Sequence, residues 1–259
     1  MAFRKFLARL GAGSASVETT LDFATGTPGG ALPGRVEVVG GEVEQQVERV
    51  VVALEALVEV ESGDSEWKET VVFGEAQVSG GFTVSPGQRL ALPFSLPVPW
   101  EAPLTSIGGW RLHGMKVGVR TRLSVAGSVD PGDTDPVDLV PTPAQATVLE
   151  ALAGLGFRFK SADLEKGRIA GSTLPFYQEL EFAPAPQYAG RINELEVTFL
   201  TSSTGLDVVL EADRRGGLLS EGSDSVSRVR FGHGDLDTRA VAEVLDGAVH
   251  QLGARRGWF

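Results

Sequence analysis

Cysteine is absent from the 259 residues, which removes disulfides, thiolate zinc sites, iron–sulfur clusters and cysteine nucleophiles at once. Histidine is scarce: His113, His233 and His250 lie too far apart to suggest a metal site by spacing. No apolar run reaches the roughly eighteen residues that a membrane-crossing helix needs. The chain also lacks a Gly-x-Ser-x-Gly elbow, a His-Glu-x-x-His pair, a Walker-type Gly-Lys-Ser/Thr and a Gly-x-Gly-x-x-Gly turn; the GAGSAS run at 11–16 has serine where the third glycine belongs. Catalytic residues are therefore expected to be none, as are cofactors and metal ligands.

Positive charge is in the minority. With 23 Lys+Arg against 34 Asp+Glu the formal charge is -11, so the summed field repels a polyphosphate and nucleic acid is not an expected partner. Hydrophobic residues at 42% and charged residues at 22% are ordinary for a folded globular chain. The N-terminal stretch MAFRKFLARLGAGSASV is basic, but Arg9 interrupts its apolar residues before a secretory core can form. A cytoplasmic chain is expected.

Past residue 33 the pattern repeats every second residue. In KVGVRTRLSV, Val117, Val119, Thr121, Leu123 and Val125 share one face and Lys116, Arg120 and Arg122 the other, as a half-buried antiparallel strand requires. Segments 35–41, 46–61, 69–79 and 88–96 read the same way, separated by SGDSE, SGG and SPG turns. Residues 46–57 also fit a helical period through Val47, Val50, Val51, Leu54 and Leu57, but their β-branched content favours a strand. Further on, Thr142 and Pro143 open a short helix that ends at Gly154 and buries Val148, Leu149 and Leu152. Strands resume over 156–164, 177–184, 194–202, 205–215 and 225–232, and a terminal amphipathic helix presents Val241, Val244, Leu245, Val249 and Leu252. The reading is all-β with short helices: an N-terminal sandwich over 1–130, a linker over 131–143, a second sandwich over 144–235, and a C-terminal helix and tail over 236–259.

Three segments carry a likeness to a known family: TPGGALPGRVEVVGGEVEQQVERVVVALEA, FTVSPGQRLALPFSLPVPWEAPLTS, and AGSVDPGDTDPVDLVPTPAQATVLEALAGLGFRFKSADLEKGRI; LPFYQELEFAP, ELEVTF and VVLEADRR continue it. Over roughly residues 1–215 the chain resembles the bacterial sporulation-control proteins of the stage-zero "M" type. The resemblance implies an arrestin-like fold of two β-sandwich domains joined by a short linker. It also implies a non-enzymatic regulator or scaffold of sporulation, differentiation or division, whose partners are other proteins. The rival reading is a small-ligand or carbohydrate-binding sandwich, for which only Trp67, Trp100, Trp110 and Trp258 could form an aromatic platform.

Four carboxylates (Asp130, Asp133, Asp135, Asp138) crowd the proposed junction. Started at Asp133, a calcium loop would need an oxygen ligand at Val137, a glycine at Asp138 and a glutamate at Ala144, so that pattern fails. A less regular cation site, a solvated hinge, and pairing of Asp130, Asp133 or Asp135 with arginines stay open. The arginine candidates are Arg214, which continues the buried alternation of Leu206, Val208, Leu210 and Ala212, and Arg215, with Arg120 and Arg122 as alternates. At the N-terminus, Phe3, Phe6, Leu7 and Leu10 share a helical face, with Arg4, Lys5 and Arg9 elsewhere. Such a stretch suits peripheral membrane contact, a partner groove, or docking on the protein's own body. The basic-aromatic tail RRGWF at 255–259 suits a partner contact or a frayed end.

Overall fold

The computed structural model describes residues 13–63, 65–125, 133–213, 225–234 and 236–254. It divides into two compact units that interleave along the chain. The first takes the chain up to Leu57 together with Thr70–Pro99 and Lys116–Asp138; the second takes Val58–Glu69, Trp100–Met115 and everything from Leu139 on. The expected boundary near 131–143 contains the last of these crossings, but Val58–Glu69 and Trp100–Met115 belong to the second unit although they lie early in the sequence.

In the first unit, β1 (Ser16–Leu21), β3 (Ala31–Val39) and β7 (Arg89–Pro97) form one antiparallel sheet in the order β1-β3-β7. A second sheet has β4 (Gln45–Ser62) between β10 (Val117–Val125) and β6 (Phe82–Val84), with β5 (Ser65–Ser79) also on β4 and β11 (Asp133–Pro136) outside β10. The sheets face each other at Thr19 and Thr121, both buried, whose hydroxyls share a 2.5 Å hydrogen bond. Alternation works as expected in β10: Val119, Thr121 and Leu123 are fully buried. In β4 a bulge intervenes, since Ser124 pairs with Arg49 while Val125 pairs with Val47. The extra residue puts Val47 and Val50 on the same face three positions apart, which is why this strand also fits a helical period. Turns at the Gly40–Gly41 pair admit no side chain, because a Cβ at either glycine would lie 2.0 Å from a backbone oxygen.

The second unit is an antiparallel meander: β13 (Arg158–Lys166), β14 (Phe176–Ala183), β15 (Glu194–Ser202), β16 (Gly205–Asp213) and β17 (Ser225–Phe231). Its inner face, with Leu180, Val197, Leu206, Val208 and Leu210, packs on α1 (Pro143–Gly154) and α2 (Thr238–Ala254). The α1 start expected at Thr142 proves to be a capping box: Gln145 N–H donates to the Thr142 hydroxyl, and the Gln145 side chain accepts from Thr142 N–H. Although the helix ends at Gly154, the left-handed residue is Gly156, at φ 92°. Helix α2 buries Val241, Leu245, Val249 and Leu252 as read from sequence; Val244, however, is 46% exposed, and Ala248 takes its place.

Leu245→Ala should therefore cost about 2–4 kcal/mol by leaving a cavity in a core that cannot fully collapse, whereas Val244→Ala should stay within about 0.5 kcal/mol. Urea titration of both variants checks this; equal losses would contradict the described orientation of α2.

Candidate functional site

From β13 to β16 the outward face of the second unit's sheet carries a row of carboxylates. Each strand seats alternate apolar residues inward, such as Ala162 and Leu164, Leu180 and Phe182, Leu195 and Val197, Leu210 and Ala212. The intervening positions are Asp163 and Glu165, Glu179 and Glu181, Glu194 and Glu196, and Glu211. Register then aligns them across strands: Asp163 stands opposite Glu179, Glu181 opposite Glu196, and Glu196 opposite Glu211. Like charges directly opposite on a sheet repel.

Cations sit at the margins of this ladder. Lys160, displaced by the bulge in β13, reaches Glu181 at 3.1 Å and Glu194 at 2.6 Å. Lys68 pairs with Glu59 and Lys166 with Glu69. Glu181 is the well-served member: burial pushes its carboxyl up, but the Ser161 hydroxyl at 2.5 Å and the Lys160 ammonium outweigh that and hold it below its ordinary value. The others go the opposite way. Burial first, and neighbouring carboxylates second, push Asp163 up to about 6, Glu165 and Glu196 to about 7, and Glu179 to about 8. Tyr177, on the same face, is pushed to about 12 by burial and then by Glu179.

Two structures border the ladder. The loop between β13 and β14 is tied down by Arg228, which donates to Ala170 O at 2.5 Å and to the Asp207 carboxylate at 2.6 Å, and by Glu101, which accepts from Thr173 N–H, Thr173 Oγ1–H and Leu174 N–H. A shallow cleft opens beside Glu101, Gln145, Tyr177, Gln178 and Leu200. There Gln178 clasps Leu104, donating to its carbonyl and accepting from its N–H, both at 2.8 Å. Unlike the ladder, this is a neutral clamp.

The residues singled out from sequence fall elsewhere. The stretch read as a linker is partly strand: Asp133 pairs with Thr121, Thr134 with Arg120 and Asp135 with Val119 along the β10 edge, and Asp138 N–H donates to Ala24 O at 2.8 Å. An extended Asp-Thr-Asp-Pro run can add to an edge because its proline closes the strand and breaks no inner ladder. Asp130, Arg214, Arg215, the N-terminal Phe3, Arg4, Lys5, Phe6, Leu7, Arg9 and Leu10, and the RRGWF tail lie outside the described residues. Arg120 and Arg122 occupy the side of β10 opposite its buried Thr121 and Leu123. His250 lies on the polar edge of α2, edge-on to Tyr188 and 3.2 Å from the Asp246 carboxylate. No single sequence motif signals the ladder; only its fragments, KSADLEK, YQELEFA and ELEVTF, show acidic alternation.

Folded-state values above the ordinary 3.8 and 4.5 mean that the folded chain holds protons the unfolded chain has released. Stability should therefore fall as pH rises from about 4.5 to 8, with Glu59, Glu61, Glu66, Lys68, Glu194 and Glu211 as charged surroundings. Glu179→Gln should leave stability near pH 5 almost unchanged and raise it at pH 8 by about 1 kcal/mol after solvent screening. Thermal melts of both proteins across this range check the sign; a Glu179→Gln chain less stable at pH 8 would contradict it.

A family model described as SpoOM protein matches residues 3–216, a span that includes every ladder carboxylate from Asp163 to Glu211. The sporulation-control protein spo0M of Bacillus subtilis (strain 168) is 33% identical over 258 residues, covering 96% of this chain and 98% of the relative. The crystal structure of Spo0M from the same organism superposes with a TM-score of 0.82 at 31% identity, covering 93% of this chain and 99% of that one. The all-β, arrestin-like architecture expected from the resemblance is the one shared with that structure. The chain belongs to the Spo0M family.

Proposed function

We propose that this chain is a non-enzymatic regulator of the sporulation-control type that acts from the cytoplasm by binding other proteins. The observation that carries this reading is its likeness, along nearly its whole length, to a protein named for sporulation control. The open edge of the second unit's sheet supports the mechanism. Among the described residues, β17 has β16 as its one strand neighbour, and an edge strand offers unpaired amides and carbonyls to an incoming strand. Its outward side chains are Val226, 47% exposed, Arg228, held by Ala170 O and Asp207, and Arg230, 3.8 Å from the Asp207 carboxylate. An extended segment with an apolar residue at the level of Val226 fits that edge.

In a B. subtilis strain lacking its own spo0M, expression of this chain should restore the parental sporulation frequency. Val226→Lys, which places a charge on the strand edge, should leave the thermal midpoint unchanged and weaken complementation. Sporulation frequency indifferent to the wild-type chain would defeat the regulatory reading. Full complementation by Val226→Lys would move the binding surface away from β17.

A further inference from the structure

An exposed aromatic residue stands on a rigid support in the second unit. Strands β8 (Ser106–Ile107) and β9 (Trp110–Arg111) pair through Ser106↔Arg111 and Ile107↔Trp110, joined by two residues, Gly108 at φ 58° and Gly109 at φ 83°. Positive φ at both central positions is the turn that matches strand twist, and glycine alone reaches it without strain. The base is fixed: Leu104 and Leu112 are core residues, Leu112 N–H donates to Thr105 O, and Thr105 exchanges bonds with Leu139 through its N–H and hydroxyl, all at 2.8 Å. Beside the turn Trp110 is 80% exposed, the largest value for a large apolar side chain among the described residues. Arg111 and His113 follow it, both exposed.

Composition around this hairpin departs from the rest of the chain. Between Glu101 and Asp130 there is no acidic residue, although the chain carries 34 of them; in the part of that interval that belongs to the hairpin's own unit, up to Met115, lies the cation Arg111. A tip of Ile107, Gly108, Gly109 and Trp110 thus has no charge to desolvate, with a guanidinium immediately behind it. A protein hot spot requires surrounding residues that exclude water from the anchor. Here Trp110 is 80% exposed and a Cβ built on Gly108 or Gly109 beside it meets nothing within 4 Å, so the apex offers tryptophan with little around it to exclude water. A lipid interface needs no shape complementarity, and it is the zone in which tryptophan partitions best, with basic side chains at the level of anionic headgroups.

We propose that the β8–β9 hairpin is a membrane-contact tip, with Trp110 entering the interfacial layer of an anionic bilayer and Arg111 meeting lipid phosphate. One aromatic and one cation give weak, reversible and salt-sensitive attachment. This goes beyond protein binding and stands without it.

The test is co-sedimentation of the full chain with vesicles of phosphatidylcholine mixed with phosphatidylglycerol, against phosphatidylcholine alone. Binding should appear on the anionic vesicles and weaken with salt. Trp110→Ala should lower the partition coefficient about tenfold, the scale of one withdrawn tryptophan, and Arg111→Ala should reduce the preference for the anionic lipid. Bromine-labelled lipid should quench the wild-type emission and quench Trp110→Phe less, a comparison that needs no loss of fold. Several results would overturn the proposal: no sedimentation, equal binding by Trp110→Ala, binding lost only in the Phe3→Ser, Phe6→Ser double variant, or an emission shift with polyglutamate but not with vesicles. The last would assign the tip to an acidic polypeptide.

Discussion

Because side chains alternate across a strand, the register that seats Leu180 against Val197 and Leu210 inside the second unit also sets Glu181 opposite Glu196 and Glu196 opposite Glu211 outside it. Core and charge are two sides of one hydrogen-bond ladder and cannot be adjusted separately. A slip of one residue would expose the leucines and bury the glutamates. The opposed carboxylates therefore persist because removing them through the backbone would destroy the core.

Magnitudes say which side prevails. Burying one leucine or valine contributes about 1.5–3 kcal/mol, while a like-charge pair across strands costs about 0.2–1 kcal/mol. With Leu195, Val197, Leu206, Val208 and Leu210 essentially sealed from solvent, the core outweighs the repulsion several times over. The remaining strain is relieved chemically. Asp163, Glu165, Glu179 and Glu196 hold protons at higher pH than free carboxyls do, so the face loses negative charge where crowding is worst. Such neighbours titrate as a group, and the proton count belongs to the ladder before it belongs to any one residue.

What could be read in advance divides along the same line. Features written within a few residues were legible: the helix start at Thr142 and Pro143, the strands around Val119 and Leu206, the buried stripe of α2. Features set by pairing were not. The bulge in β4 depends on where β10 lies, and it is this bulge that lets Val47, Val50 and Leu54 imitate a helix. Val244 fits the α2 stripe by spacing, yet it sits on the margin that the described core leaves exposed. The aspartates at 130–138 crowd in sequence. Asp163, Glu179, Glu196 and Glu211 are scattered over four strands and become neighbours only through register. Likeness to a family was legible over the span that its model matches, because a family pattern records the pairing that a single chain conceals.

Net charge is a poor guide to what either surface accepts. At physiological ionic strength fields from exposed charges fade over about 8 Å, so a ligand at Trp110 experiences the residues around it more than the formal -11 of the whole chain. The second unit carries both extremes, an acidic row fixed by strand register and an uncharged apex fixed by a two-glycine turn. Each arises from a local backbone rule, the period of two in one case and positive φ in the other. A partner strand along β17 and an anionic surface at Trp110 would thus meet the same unit through different side chains.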